Sequence, residues 1–215
     1  MKSILIALLC FCGSAHAANS FYIEAAGGLT YFHQYKKDNA RWYQDAYPWT
    51  AGLKSPAWRI GLGRKIDKHW DLTLSWLEIG RNSVVSLAVL DQDYDPIAHS
   101  CIRNCDKPTR LVVNGSGHGP EIAWRRSFGM PYVRGGVFLW FTKLQAHYET
   151  HDGTRGTFYQ EPDIMIAPFL GVGARYKWKP IELFTEVTYY HGLGSGGYPI
   201  AKRATVPMVG ARFEF

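Results

Sequence analysis

Apolar residues recur at every second position over eight separate stretches of this chain, and that period limits the fold more than any other feature. The first stretch spans residues 20–32 and the last spans residues 204–215. The six stretches between them are 57–66, 69–79, 111–126, 132–144, 163–177 and 181–190. Successive side chains of a β-strand point to opposite faces, whereas an amphipathic helix repeats every 3.6 residues. We therefore predict eight strands, each apolar on one face and polar on the other.

The connections between these strands alternate between short and long. The short ones lie near residues 66–69, 127–131 and 178–180, and the long ones near 33–56, 80–109, 145–163 and 191–204. One stretch loses its alternation at Leu77-Glu78, which indicates either a bulge or the end of a membrane-spanning strand. After residue 17 no apolar segment is long enough for a membrane helix.

Lipid offers no partner for an unpaired N–H or C=O group, so strands cross a bilayer only as a closed barrel. Short turns at one end and long loops at the other are typical of outer-membrane barrels. We predict that residues 18–215 form an all-β protein, an eight-stranded antiparallel up-and-down transmembrane β-barrel. Its last strand should pair with residues 21–31 of the first.

The first seventeen residues predict a cleaved signal peptide: a positive Lys2, an apolar run over 4–11 and a small-x-small site ending at Ala17. Cleavage would remove Cys10 and Cys12 and leave Cys101 and Cys105. An even cysteine pair in an exported protein most often forms a disulfide, and we predict one here as a loop clip.

Charged residues recur on the polar face of the predicted strands. They are Glu24, Arg59, Asp71, Glu121, Arg134, Arg175, Glu182, Glu186, Arg212 and Glu214. The interior of an eight-stranded barrel is just wide enough for side chains to fill it, and a lone buried charge is very costly. We therefore expect arginine–carboxylate pairs that fill the lumen, and an ion pathway is the alternative.

Aromatic residues cluster near both ends of the predicted strands, as expected for two interfacial girdles. At the turn end they are Phe21, Trp70, Trp124, Phe128, Trp178, Phe213 and Phe215. At the loop end they are Tyr31, Trp58, Trp76, Phe141 and Tyr189.

The chain resembles the small outer-membrane barrels: the OmpA-type transmembrane domain, the OmpX, Ail and Lom group, and the opacity proteins. The resemblance is one of pattern and covers residues 18–215. It includes the ending Ala211-Arg212-Phe213-Glu214-Phe215, which is similar to the terminal strand that the outer-membrane assembly machinery recognises. It implies a bacterial outer-membrane protein with a role in adhesion, serum resistance or envelope integrity.

Two serine–histidine sets are candidates for a catalytic site. Ser116 and His118 share a face and lie near Glu121, and His191 lies near Ser195. A nucleophile needs a base within hydrogen-bond reach and a third group that orients the base. Ser116, His118 and Glu121 resemble the set of lipid A deacylases, but the residue order differs and Glu121 falls on the opposite face.

The loops carry the remaining candidate sites. A basic and aromatic set suits contact with sugar, phosphate or protein: Lys36, Lys37, Arg41, Trp42, Tyr43, Tyr47, Trp49, Lys202 and Arg203. Residues 91–95 begin like a calcium loop but lack its glycine and distal glutamate.

We interpret the chain as a non-enzymatic surface protein whose partners are lipid, lipopolysaccharide, the assembly machinery and host molecules. A lipid A hydrolase and a small pore are the alternatives. The net charge of +6 suits anionic surfaces, and export argues against a nucleic-acid partner. We predict no cofactor and no metal site.

Overall fold

The computed structural model describes residues 20–33, 50–52, 54–88, 94–95, 100–101, 109–149, 153–193 and 203–215. Their strands are β1 (Phe21–His33), β2 (Thr50–Gly52), β3 (Lys54–Lys65), β4 (Trp70–Ala88), β5 (Tyr94–Asp95), β6 (Ser100–Cys101), β7 (Thr109–Ser127), β8 (Pro131–Glu149), β9 (Arg155–Trp178), β10 (Ile181–His191) and β11 (Arg203–Glu214). Within these residues no helix is long and apolar enough to cross a membrane.

Eight of the strands close into an antiparallel barrel, which confirms the predicted fold class. Their order is β4-β3-β1-β11-β10-β9-β8-β7, and β7 pairs back with β4. Strands that follow one another in sequence are therefore neighbours in space, as in an up-and-down barrel. The short β2 extends the sheet beside β4, and β5 and β6 form a separate pair.

The last strand pairs with the first, as predicted. The register between β1 and β11 runs from Tyr22 opposite Glu214 to His33 opposite Arg203. This pairing joins the two ends of the described chain and removes an open sheet edge, whose unpaired N–H and C=O groups would otherwise lack partners.

The alternation predicted from sequence separates the two faces of the barrel. Along β10 the side chains alternate between exposed and buried from Ile181 to His191. Leu183 and Val187 are exposed on the outer surface, whereas Glu182 and Glu186 are buried inside. The burial pattern is the reverse of that in a water-soluble protein, with apolar groups outside and charges inside.

Backbone pairing between strands continues beyond several of the strand ends that the alternation of apolar residues predicts. β4 continues to Ala88, β8 to Glu149, and β9 begins at Arg155. Residues 80–88, 145–149 and 155–163, predicted as parts of loops, are therefore strand. The reason is that backbone pairing continues where the apolar face has ended, so the two-residue period of hydrophobicity disappears before the strand does.

The strands β4, β7, β8 and β9 are longer than the other barrel strands, and two register shifts lie at the same level among them. β4 shifts against β7 between Glu78 and Arg81, and β8 shifts against β9 between Thr142 and Leu144. Gly117 of β7 faces the first shift and pairs with Thr142, where the second begins. β-bulges of this kind increase the local twist of a sheet.

The irregularity in β4 lies two residues beyond the break predicted at Leu77-Glu78. Leu77 keeps the inward orientation and is fully buried. The disturbance centres on Gly80, which has a φ of 77°, a value that glycine adopts without strain. Next to it, the N–H of Arg81 donates to the hydroxyl of Ser55 at 2.7 Å.

Glycines of the inner face provide space for aromatic rings from the adjacent strand. Gly63 of β3 lies opposite Tyr22 of β1, and a Cβ at position 63 would contact the Tyr22 ring. Gly173 of β9 has the same relation to Tyr132 of β8. The rings thus lie over neighbouring backbone, where each hydroxyl reaches a polar partner in the lumen.

Candidate functional site

The lumen holds a dense network of buried charges. Among the described residues its carboxylates are Glu24, Asp71, Glu121, Glu182 and Glu186, and its guanidinium groups belong to Arg59, Arg125, Arg134, Arg175 and Arg212. Each of the eight barrel strands contributes at least one of these ten side chains. Equal numbers of acids and arginines make the network formally neutral.

At the turn end of the lumen, Asp71 is the common partner of two arginines. Its Oδ2 accepts from Arg125 Nε at 2.7 Å and from Arg212 Nη1 at 2.8 Å. Arg125 also donates to Glu182 at 2.8 Å, and Arg175 reaches Glu182 at 3.3 Å. Each charge here therefore has at least one opposite charge beside it, which offsets part of its desolvation cost.

Halfway along the barrel, Arg59 joins two carboxylates. Its Nη1 donates to Glu186 at 2.5 Å, and its Nε lies 3.2 Å from Glu24. Glu24 accepts in turn from Arg212 at 2.8 Å, which connects this level to the turn end. Arg134 lies 3.5 Å from Glu186 and forms an ion pair with Glu121.

Hydroxyl groups from several strands complete the network. Glu121 accepts from Ser75 at 2.9 Å and from Tyr190 at 2.7 Å. Glu186 accepts from Tyr132 at 2.9 Å. Contacts between carboxylates and guanidinium groups therefore form a continuous path from Arg175, at the turn end of the lumen, to Glu121. The hydroxyl of Tyr190 extends this path by its hydrogen bond to Glu121.

Above the charges, an apolar layer occupies the loop end of the lumen. Phe138, Trp140, Phe169 and Tyr190 are buried there, with ring centroids 5.2 to 5.7 Å apart in successive pairs. Leu193, just beyond the end of β10, is also fully buried. The described part of the lumen thus contains paired charges, with the rings of Tyr22, Tyr132 and Phe184 among them, and an apolar group of side chains at the loop end.

Sequence reasoning missed several of these lumen side chains. The predicted charge set lacks Arg125, although Arg125 lies on the same face as Glu121 and its alternation indicates an inward position. Phe138 and Trp140 share the inward face of Arg134, but their apolar character makes them look like lipid-facing residues. Glu214, a member of the predicted charge set, pairs with Lys65 at the turn-end rim.

The candidate serine–histidine sets do not come together as sites. Ser116 and His118 face the outer surface, whereas Glu121 is buried in the lumen with Arg134. The carboxylate near His118 is Glu78, 3.8 Å away, and the His118 ring stacks on Trp76 at 5.7 Å. In the second set, His191 ends β10 and Ser195 lies outside the described residues.

Several other candidates fall wholly or partly outside the described residues. They are the predicted signal peptide 1–17, Cys105, most of 91–95, Lys36, Lys37, Arg41, Trp42, Tyr43, Tyr47, Trp49 and Lys202. Cys101 lies in β6, and its disulfide with Cys105 remains a prediction. No group of metal-binding side chains occurs among the residues that the structure describes.

The aromatic residues predicted as girdles lie on the outer surface. Trp70, Trp124, Phe128 and Trp178 are exposed at the turn end, and Trp58 and Trp76 towards the loop end. Between the two groups the exposed side chains are aliphatic, such as Leu62 and Leu170. The outer surface is therefore an aliphatic band bordered by aromatic rings.

At the loop end, a row of two histidines and one arginine lies just above a row that contains two tyrosines. His33, Arg203 and His191 stand side by side on β1, β11 and β10, all exposed. The row below contains Tyr31, Thr205 and Tyr189, and the Nζ atom of Lys54 lies 5.4 Å from the centroid of the Tyr31 ring. Arg203 is the described member of the predicted loop contacts.

This geometry can be compared with known proteins. The chain is similar to small outer-membrane barrels of known structure. Neisserial surface protein A matches at a TM-score of 0.45 and 13% identity, covering 93% of this chain and 100% of that one. OprG from Pseudomonas aeruginosa matches at 0.42 and 11%, covering 94% and 98%.

A third barrel is Ail of Yersinia pestis, solved in complex with the heparin analogue sucrose octasulfate. It matches at a TM-score of 0.39 and 10% identity, covering 92% of this chain and 97% of that one. No family model matches the chain, and a search of curated proteins finds no significant match. These likenesses concern overall architecture and assign no activity.

Proposed function

We propose that this protein is an exported outer-membrane barrel that anchors surface loops and does not conduct ions. The reversed distribution of polarity carries the proposal: exposed aliphatic side chains surround the barrel, and the charges are buried within it. An aliphatic band bordered by aromatic rings is the outer surface expected of a barrel in a bilayer. The final strand, with Phe213 and Phe215 exposed, is the element that the barrel assembly machinery would recognise.

The filled lumen supports an anchor rather than a pore. A permeant ion would have to separate pairs such as Arg59–Glu186 and then pass the layer of Phe138 and Tyr190. Separating one buried pair leaves an uncompensated charge, at a cost of about 3–5 kcal/mol. We therefore place the function at the loop end.

Contact with lipopolysaccharide and with host molecules is the proposed role of that end. Lys54 and Arg203 are exposed there beside Tyr31 and Tyr189, a combination suited to phosphate groups at a membrane interface. The predicted contacts of the first loop, from Lys36 to Trp49, would extend the same basic surface.

Planar-bilayer recordings test the closed lumen. The refolded barrel should migrate differently on a denaturing gel with and without heating, which shows that it has folded. It is then expected to produce no conductance across the bilayer at several voltages. Discrete conductance steps from protein with that gel shift would contradict a closed lumen and favour the pore.

Deletion of residues 36–49 tests the role of the loops. The shortened protein should still show the gel shift and should lose binding to lipopolysaccharide and to host cells. Binding equal to that of the intact protein would contradict a contact role for the first loop. An altered acyl pattern of lipid A in expressing cells would favour the hydrolase instead.

A further inference from the structure

An arginine on the outer surface lies over two aromatic rings at the turn end of the barrel. Arg126 of β7 is directly opposite Trp70 of β4, and Phe128 follows two residues later on the same face. The guanidinium carbon of Arg126 lies 5.2 Å from the centroid of each ring. We call Trp70, Arg126 and Phe128 the turn-end clamp.

The clamp orients a cation and leaves it without an anion. The two rings attract the guanidinium by cation–π interaction and limit its rotamers. In the part of the chain that the structure describes, no carboxylate lies within ion-pair distance of Arg126, which is exposed. Its planar set of N–H donors matches the geometry of a phosphate group.

The surroundings of the clamp are basic. At the turn-end rim the described residues include six basic side chains, Arg64, Lys65, Lys68, Arg126, Lys177 and Lys179, and two acidic ones, Asp67 and Glu214. Arg64 also lies over a ring, 5.8 Å from the centroid of Phe21. The excess of positive charge, beside rings suited to a headgroup region, complements an anionic lipid surface.

We propose that the turn-end clamp binds the phosphate of an anionic phospholipid, with Arg126 as the donor and Trp70 and Phe128 holding its guanidinium. The proposal rests on the proposed function, because it requires the barrel to be embedded with its turns in a phospholipid leaflet. Lipopolysaccharide offers the same phosphate chemistry, but it would meet the loop end of a barrel in this orientation.

Spin-labelled lipids provide the test in bilayers of phosphatidylcholine that contain the refolded barrel. Spin-labelled phosphatidylglycerol should associate with the wild type about fivefold more strongly than spin-labelled phosphatidylcholine. Arg126→Gln should lose most of that preference. Arg81→Gln, which removes an exposed arginine beyond the β4 bulge, is the matched control and should keep it.

Trp70→Leu separates the clamp from charge alone, since it keeps Arg126 and removes one ring; it should also weaken the preference. If Trp70→Leu does not fold, as judged by migration on a denaturing gel with and without heating, Phe128→Leu makes the same test by removing the other ring. Two results would contradict the clamp alone. The first is a wild type that inserts into the bilayer but shows no preference for phosphatidylglycerol. The second is an equal preference for phosphatidylglycerol in Arg126→Gln and Arg81→Gln. A wild type that fails to insert contradicts the proposed function and the clamp together.

Discussion

Arg212 shows how single side chains hold the barrel interior together. Its guanidinium donates to Asp71 and to Glu24, each at 2.8 Å, and its carbon lies 3.6 Å from the centroid of the Tyr22 ring. These contacts link β11, the closing strand, to β4 and to β1. Removing one member of a buried ion cluster costs more than the cluster contributes, because it leaves unpaired charge in a low-dielectric site.

We expect Arg212→Gln to lower the free energy of unfolding by about 3–5 kcal/mol, since Asp71 and Glu24 lose a charged partner. Urea titration of the barrel in lipid vesicles measures the change. Arg155→Gln is the control, because the pair of Arg155 with Glu149 is exposed and should contribute about 0–1 kcal/mol. Equal losses in the two variants would contradict the assigned role of the lumen network.

Among the elements, the turn between β3 and β4 depends on one carboxylate. Asp67 accepts from the backbone N–H of His69 at 2.6 Å and from that of Trp70 at 2.8 Å. These hydrogen bonds hold the pKa of the Asp67 carboxyl below its usual value. The aspartate thus both shapes the turn and responds to pH.

The folded-state pKa of Asp67 is the lower one, so its contribution to stability is complete above the unfolded pKa of about 3.9. It is lost as the pH falls through the folded-state value. We expect wild type and Asp67→Asn to differ in urea midpoint by a constant amount from pH 7 to about pH 5. The difference should shrink below about pH 4, and a difference that grows on acidification would contradict the assignment.

For the whole molecule, the reversed polarity makes the effect of an outer-surface substitution depend on depth. Leu170 and Trp178 are both exposed on β9, Leu170 towards the middle of the aliphatic band and Trp178 at the turn end. A water-soluble barrel would accept a charge at either position with similar ease, whereas a bilayer would not.

Leu170→Arg should therefore lower the free energy of unfolding in lipid vesicles by about 2–4 kcal/mol, because the charge enters the hydrocarbon. Trp178→Arg should cost about 0–1 kcal/mol, because that position lies at the interface. Urea titration of both variants in the same vesicles gives the comparison. Similar costs at the two positions would contradict a membrane-embedded outer surface.

Much of this architecture follows from local patterns. Alternation assigns Glu182 and Glu186 to the lumen and Leu183 and Val187 to the outer surface, as the structure shows. The same pattern contains Arg125, which the predicted charge set lacks, and it places Phe138 and Trp140 inside although their apolar chemistry suggests contact with lipid. Strand ends are less predictable, because polar β4 residues beyond the aliphatic band still pair with β7.

The number and order of the barrel strands, and the face on which most side chains lie, follow from the alternation of apolar residues, because the period of two is a property of the local backbone. The pairing of inward residues depends instead on the closed fold. Arg212 and Asp71 are 141 residues apart, and Arg59 and Glu186 are 127 apart. Such contacts depend on the tilt and stagger of all the strands, which become fixed only when the sheet closes on itself.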